Sequence, residues 1–218
     1  MALTRTRIKV CGITRPEDAV AAADAGVDAI GLVFHRDSPR AVSPAQAALI
    51  ARAVGPLVTV VALFVDAAEA AVQEVLAAAP VGLLQFHGAE SAAACGRYHR
   101  PYLKALRMAP GLAVEAVAEG YDRASGILLD SFRPGVPGGT GEAFDWDRVP
   151  VALRSRLVLA GGLTPANVGD AIARVGPAAV DVSGGVEAAP GLKDATRIAA
   201  FVAAVRAADS KRQSGSKP

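Results

Sequence analysis

Short, almost uninterrupted apolar runs alternate along this chain with longer alanine-rich segments, and eight such units fill it nearly from end to end. The runs fall at 7–10, 29–34, 59–65, 82–86, 102–105, 126–129, 157–160 and 179–182, their starts spaced 20 to 31 residues apart. Continuous apolar character suits parallel strands covered on both faces, whereas a half-wet antiparallel sheet would alternate. The segments between them carry helix boundaries. Pro16-Glu17-Asp18 puts carboxylates in a first turn, Ser43-Pro44 and Thr164-Pro165 each offer a hydroxyl cap and a proline at the first helical position, and Gly26 and Gly55 suit left-handed ends. Eight strand–helix units of this length predict an α/β fold of one kind, a parallel eight-stranded (β/α)8 barrel. An open doubly wound sheet is the alternative, but it would have fewer strands, and its first strand–helix turn would often carry GxGxxG where this chain reads KVCGIT. No linker divides the chain, so residues 1–208 are expected to form a single barrel. The polar tail 209–218 is expected to be disordered.

Bulk properties exclude several classes of function. With 52% hydrophobic and 20% charged residues, the chain has a foldable, globular composition. A net charge of +2, with basic residues scattered, gives no footprint for nucleic acid. No apolar stretch approaches the ~20 residues that cross a bilayer. Cys11 and Cys95 are far apart and form no CxxC pair, so a reduced, cytoplasmic setting is expected. The spacing of His, Asp and Glu indicates no metal site, and the chain is expected to act as a monomer or homodimer.

In such a barrel the loops after the strands share one face, and functional residues belong there. Cys11 follows the first strand, Arg40 lies in the loop after the second, Gln85 and His87 end the fourth, and Asp130 ends the sixth. Gly161 and Gly162 follow the seventh strand, and Ser183, Gly184 and Gly185 follow the eighth. Loops after strands seven and eight form the recurrent phosphate site of this architecture, so the glycine turns LAGGLTP and VDVSGGVE point to a phosphorylated small molecule.

Each candidate has a plainer reading. Cys11 is a general base or nucleophile, or a small apolar plug at a barrel end. Asp130 is a buried acid whose protonated form burial favours, or half of an ion pair with a loop arginine such as Arg133. Arg40 is a carboxylate clamp or a solvated loop residue. Gln85 and His87 point the same way, toward a substrate or toward an internal partner. His35 and His99 receive no role, and Cys95, in an alanine-rich helix, reads as structural.

Taken together, KVCGIT, GLVFHRDSPR, VVALFVD, LLQFHG, LLDS followed by GGTGEAFDW, LVLAGGLTPANV and VDVSGGVEAAPGLKD resemble the phosphoribosylanthranilate isomerase family of tryptophan biosynthesis. The matches run in the family's order from 9 to 194, with one departure: Gly184 stands where the family usually has a second serine. The resemblance implies an Amadori rearrangement of N-(5-phosphoribosyl)anthranilate to 1-(2-carboxyphenylamino)-1-deoxyribulose 5-phosphate, without a cofactor. It further implies that Asp130 is the general acid, Cys11 the general base and Arg40 the ligand of the anthranilate carboxylate. Asp181 would touch the sugar hydroxyls, and the two glycine turns would hold the phosphate. Two rivals remain at this stage. One is the histidine-pathway isomerase of the same fold, which has an aspartate where Cys11 stands. The other is a silent phosphate-binding barrel, which would need neither Cys11 nor Asp130.

Overall fold

A computed structural model describes residues 5–132 and 144–215. The stretch 133–143, with Arg133 and most of the GGTGEAFDW motif, lies outside the described residues.

Eight parallel strands close into a barrel in sequence order: β1 (Arg7–Cys11), β2 (Ala29–Val33), β3 (Thr59–Phe64), β4 (Leu83–Phe86), β5 (Tyr102–Arg107), β6 (Gly126–Asp130), β7 (Leu157–Leu159) and β8 (Ala179–Val182), with β8 pairing back onto β1. Each coincides within one or two residues with an apolar run of the sequence. The intervening helices are α1 (Pro16–Ala25), α2 (Pro44–Ala53), α3 (Glu69–Ala78), α4 (Ala92–Gly96), α5 (Val114–Glu119) and α6 (Val168–Val175), and 3-10 turns stand between β6 and β7. A small antiparallel ribbon of β9 (Glu187–Ala189) and β10 (Leu192–Lys193) follows β8 and leads into α7 (Ala195–Gly215).

The strands are mostly apolar because their two faces serve two cores. On β6, Ile127 and Leu129 pack outward under the helices, while Leu128 packs inside the barrel with Leu103, Ala105, Val158 and Ala160. Side chains alternate along a strand, so this pleat fixes what points into the lumen: Asp130 beyond Leu128, Gln85 beyond Leu83, Asp181 beyond Ala179, and both Lys9 and Cys11 on β1. Cys11 packs there with Val33 and Leu63.

Local signals behave as their chemistry requires, with two corrections. Ser43 caps α2 in a full capping box with Gln46, and Gly26 ends α1 at φ +87°. Thr164-Pro165, by contrast, opens only a turn: α6 starts at Val168. Asn167 instead secures the segment, its Oδ1 accepting from Thr164 N at 2.8 Å and its Nδ2 donating to Gly162 O at 2.9 Å.

The second correction concerns the tail, which is helical rather than disordered as far as Gly215. Ile198, Phe201, Val202 and Val205 form an apolar stripe at helical spacing, which Ala208 extends. At the next residue, the Asp209 carboxylate accepts from both the backbone N and Oγ1 of Thr6 at 2.7 Å. A polar sequence there conceals an anchor to the start of β1.

Among the described residues, no helix is long and apolar enough to cross a membrane, and no group of His, Cys, Asp and Glu could hold a metal ion.

Candidate active site

One cavity opens at the carboxyl ends of the strands, and all eleven residues singled out from the sequence line it: Cys11, Arg40, Gln85, His87, Asp130, Gly161, Gly162, Asp181, Ser183, Gly184 and Gly185. His35, which received no role, lines it as well. Cys95 does not. It is fully buried in α4, its thiol pushed up to about 11 by burial.

The acidic wall is built from β4 and β6. Asp130 Oδ1 accepts from the backbone N of Ser131 at 2.8 Å, and Oδ2 lies 3.3 Å from His87 Nε2, close enough for an ion pair but without hydrogen-bond alignment. Gln85 Nε2 stands 3.3 Å from His87 Nδ1. An amide N–H donating to Nδ1 would leave Nε2 as the ring's donor, on the side facing Asp130. Gly161 closes this wall. At φ +81° it is left-handed, and a Cβ there would fall 2.4 Å from Ser131 N and 3.1 Å from Asp130 Oδ1. Only glycine lets the turn after β7 approach the carboxylate so closely.

Opposite stands Cys11, at the last position of β1. Burial pushes its thiol up, with Lys9 acting against that rise. Lys9 is itself buried in the lumen, its Nζ 2.9 Å from Asp181 Oδ2. Asp181 keeps its other oxygen, Oδ1, buried without a hydrogen-bond partner among the described residues. A substrate hydroxyl could satisfy that oxygen.

Arg40 is less available than a solvated loop residue would be. Its Nε and Nη2 fork onto Glu187 at 2.8 and 2.7 Å, leaving the guanidinium end edge for a further anion. Gly12, at φ +76°, makes this possible, since a Cβ there would lie 2.4 Å from Arg40 Cδ. Glu187 also accepts from Lys193 Nζ at 2.8 Å, and that ammonium reaches Ser183 O at 3.2 Å. Burial alone would push the Glu187 carboxyl up, but hydrogen bonds from Arg40 and Lys193 outweigh it and hold the group below its ordinary range.

The two glycine turns meet backbone to backbone. A Cβ on Gly185 would lie 2.0 Å from Leu163 O, so the turns after β7 and β8 form a single surface. Gly184 is different, because a Cβ there would meet Arg40 Nη2 only at 3.7 Å, an ordinary contact.

Sequence reasoning passed over Lys9, Glu187, Lys193 and Asn167. For Lys9 a signal existed: a charge two positions before Cys11, on a strand covered on both faces, must share its lumen-facing side. Glu187 and Lys193 lay inside the quoted GGVEAAPGLKD, but nothing in their spacing revealed a hairpin folding them onto Arg40.

Comparison with known proteins agrees with the architecture. The family model described as N-(5'-phosphoribosyl)anthranilate isomerase matches residues 8–204. The enzyme of that name from Pseudomonas fluorescens strain Pf0-1 is 58% identical over 204 residues, covering 94% of this chain and all of the relative. The crystal structure of phosphoribosylanthranilate isomerase from Thermotoga maritima superposes with a TM-score of 0.84 at 37% identity, covering 93% of this chain and 99% of that one. Another structure of such an enzyme, in complex with reduced 1-(o-carboxyphenylamino)-1-deoxyribulose 5-phosphate, gives 0.81 at 35% identity, with the same coverage of both chains. A barrel whose carboxyl-end cavity gathers these residues, matched over nearly its whole length, belongs to the N-(5'-phosphoribosyl)anthranilate isomerase family.

Proposed function

We propose that this chain isomerises N-(5-phosphoribosyl)anthranilate to 1-(2-carboxyphenylamino)-1-deoxyribulose 5-phosphate with Asp130 as acid and Cys11 as base. The observation that carries this assignment is the placement of a carboxyl and a thiol on strands β6 and β1, lining one cavity together with a pair of fused glycine turns.

Asp130, acting as the acid, gives a proton to the ribose ring oxygen as the C1–O bond breaks. The anthranilate nitrogen supplies the electron pair, and C1 becomes an iminium carbon. The Cys11 thiolate then takes the proton from C2, and the C–H pair moves into a C1–C2 double bond while the iminium nitrogen is neutralised. The resulting enolamine tautomerises to the ketone. Because the iminium is its own electron sink, one donor and one acceptor suffice and no cofactor is required. Each group contributes roughly 10²–10⁴ in rate, and positioning by the phosphate adds to this.

Arg40 offers its end edge to the anthranilate carboxylate while Glu187 holds the adjoining Nε–Nη2 edge. Asp181 Oδ1 accepts from a ribose hydroxyl, and Gln85 and His87 flank the sugar beside Asp130. Gly161, Gly162, Ser183, Gly184 and Gly185 receive the phosphate. The reaction takes place in the cytoplasm, in a monomer or homodimer, with a small phosphorylated molecule as partner and neither nucleic acid nor membrane.

The test is the loss of anthranilate fluorescence when purified protein meets phosphoribosylanthranilate. Turnover of this substrate supports the proposal. Turnover of only the imidazole-bearing, two-phosphate substrate of the histidine pathway overturns it.

A further inference from the structure

A thiol buried in a barrel lumen is a poor base unless a cation stands beside it. Lys9 and Cys11 are successive inward positions on β1. Lys9 lies in register with Asp181 on β8, and their side chains meet at 2.9 Å with 5% and 8% of their surfaces exposed. On the other side, Cys11 lies in register with Gly31 of β2. A Cβ on Gly31 would fall 2.7 Å from Cys11 Sγ and 3.1 Å from Lys9 Cε. The sulfur and the end of the lysine stem therefore fold over the same bare Cα. Any larger residue at 31 would drive them apart.

We propose that Lys9 is a positioning residue for the reaction: its ammonium, anchored by Asp181 and admitted by the missing side chain of Gly31, is the counter-charge that allows Cys11 to exist as a thiolate. This rests on the reading of Cys11 as the base. The charges facing the sulfur come from several elements: Lys9 on its own strand, Asp181 from β8, Lys193 from β10 and Arg40 from the loop after β2. Across the cavity stand Asp130 from β6 and His87 just after β4. Arg40 and Lys193 converge on one carboxylate, Glu187. Lys9 shares the narrow space over Gly31 with the sulfur and is the leading influence favouring the ionised thiol there, with Asp181 opposing. Occupation of Asp181 Oδ1 by a ribose hydroxyl would ease that opposition when substrate arrives.

The test is a thiolate titration by ultraviolet absorbance, taken for each protein as the difference from its Cys11→Ser counterpart, which removes the signal of Cys95. Lys9→Met should lower the Cys11 thiolate fraction near pH 8 by about tenfold or more relative to the native chain, the scale of one close charge in a partly dry site. Lys9→Met leaves Asp181 buried without its cation, so a second comparison avoids that orphan. Asp181→Asn is set against Lys9→Met/Asp181→Asn, and the added lysine change should lower the thiolate fraction in the same sense. Gly31→Ala, which keeps every charge, should move the titration the same way by pushing the sulfur and the lysine stem apart. If neither lysine change alters the titration while Cys11→Ser abolishes turnover, Lys9 has no such role and the base assignment stands. If Cys11→Ser retains native turnover, the base assignment itself fails whatever the titration shows.

Discussion

Glu187→Gln tests how the site holds Arg40. In the native protein the Glu187 carboxylate is 6% exposed and takes three charge-assisted hydrogen bonds at 2.7 to 2.8 Å, two from Arg40 and one from Lys193. Glutamine keeps the shape but offers one acceptor and turns an NH2 toward a donor. Breaking one partner of a buried ion pair costs about 3–5 kcal/mol. For a chain of this length that corresponds to a fall of roughly 10 °C in Tm. The pH dependence carries a sign as well. Because Glu187 is held below its ordinary range, its contribution is fully present above the unfolded carboxylate value of about 4.3 and is lost as pH falls through the lower folded value. The stability gap between native and Glu187→Gln proteins, measured by urea unfolding, should be constant from neutrality to about pH 5.5 and narrow below about pH 4. Turnover should show a raised KM with a smaller change in kcat, since Arg40 would lose its aim rather than the chemistry its groups. A variant as stable as the native protein at neutral pH, or a gap that widens on acidification, would refute the reasoning.

Other perturbations separate chemistry from scaffold. Cys11→Ser and Asp130→Asn should each lose roughly 10²–10⁴ in kcat while retaining affinity for a product-like sugar phosphate, measured by calorimetry. Gly161→Ala should lose about 2–4 kcal/mol in urea unfolding, from left-handed strain and a backbone clash at Ser131 N, and lose activity with it. Gly184→Ser, which meets only ordinary contacts, should leave the unfolding midpoint within about 0.5 kcal/mol of native. Asp209→Ala should cost about 1–3 kcal/mol in the same assay because it strands the buried N–H and hydroxyl of Thr6.

The barrel was legible because each strand is covered on both faces and so is mostly apolar, and that requirement writes itself into 8 consecutive stretches of sequence. The site residues were legible for a related reason. Parity along a strand carries Leu128 to Asp130 and Leu83 to Gln85, so a polar residue at a strand's carboxyl end must face the lumen. What stayed hidden depends on partners distant in sequence. Glu187 and Lys193 matter only because a two-stranded ribbon folds them back onto Arg40, 147 residues earlier in the case of Glu187. Asp209 looks like part of a solvated tail until Thr6, 203 residues away, supplies its partners. Gly31 reads as an ordinary strand glycine, and only the neighbouring strand's register shows what its missing side chain makes room for.

Catalysis requires two proton-transferring groups reaching opposite sides of one sugar. A crystal structure of this protein with a stable reduced analogue of the product measures that directly. Cys11 Sγ should lie about 3–3.5 Å from the sugar's C2, with the Asp130 carboxyl in hydrogen-bond reach of the oxygen that had closed the ring and the phosphate seated on the turns at Gly161 and Ser183. A ligand bound with C2 turned away from the sulfur, or with Asp130 facing only protein, would contradict it.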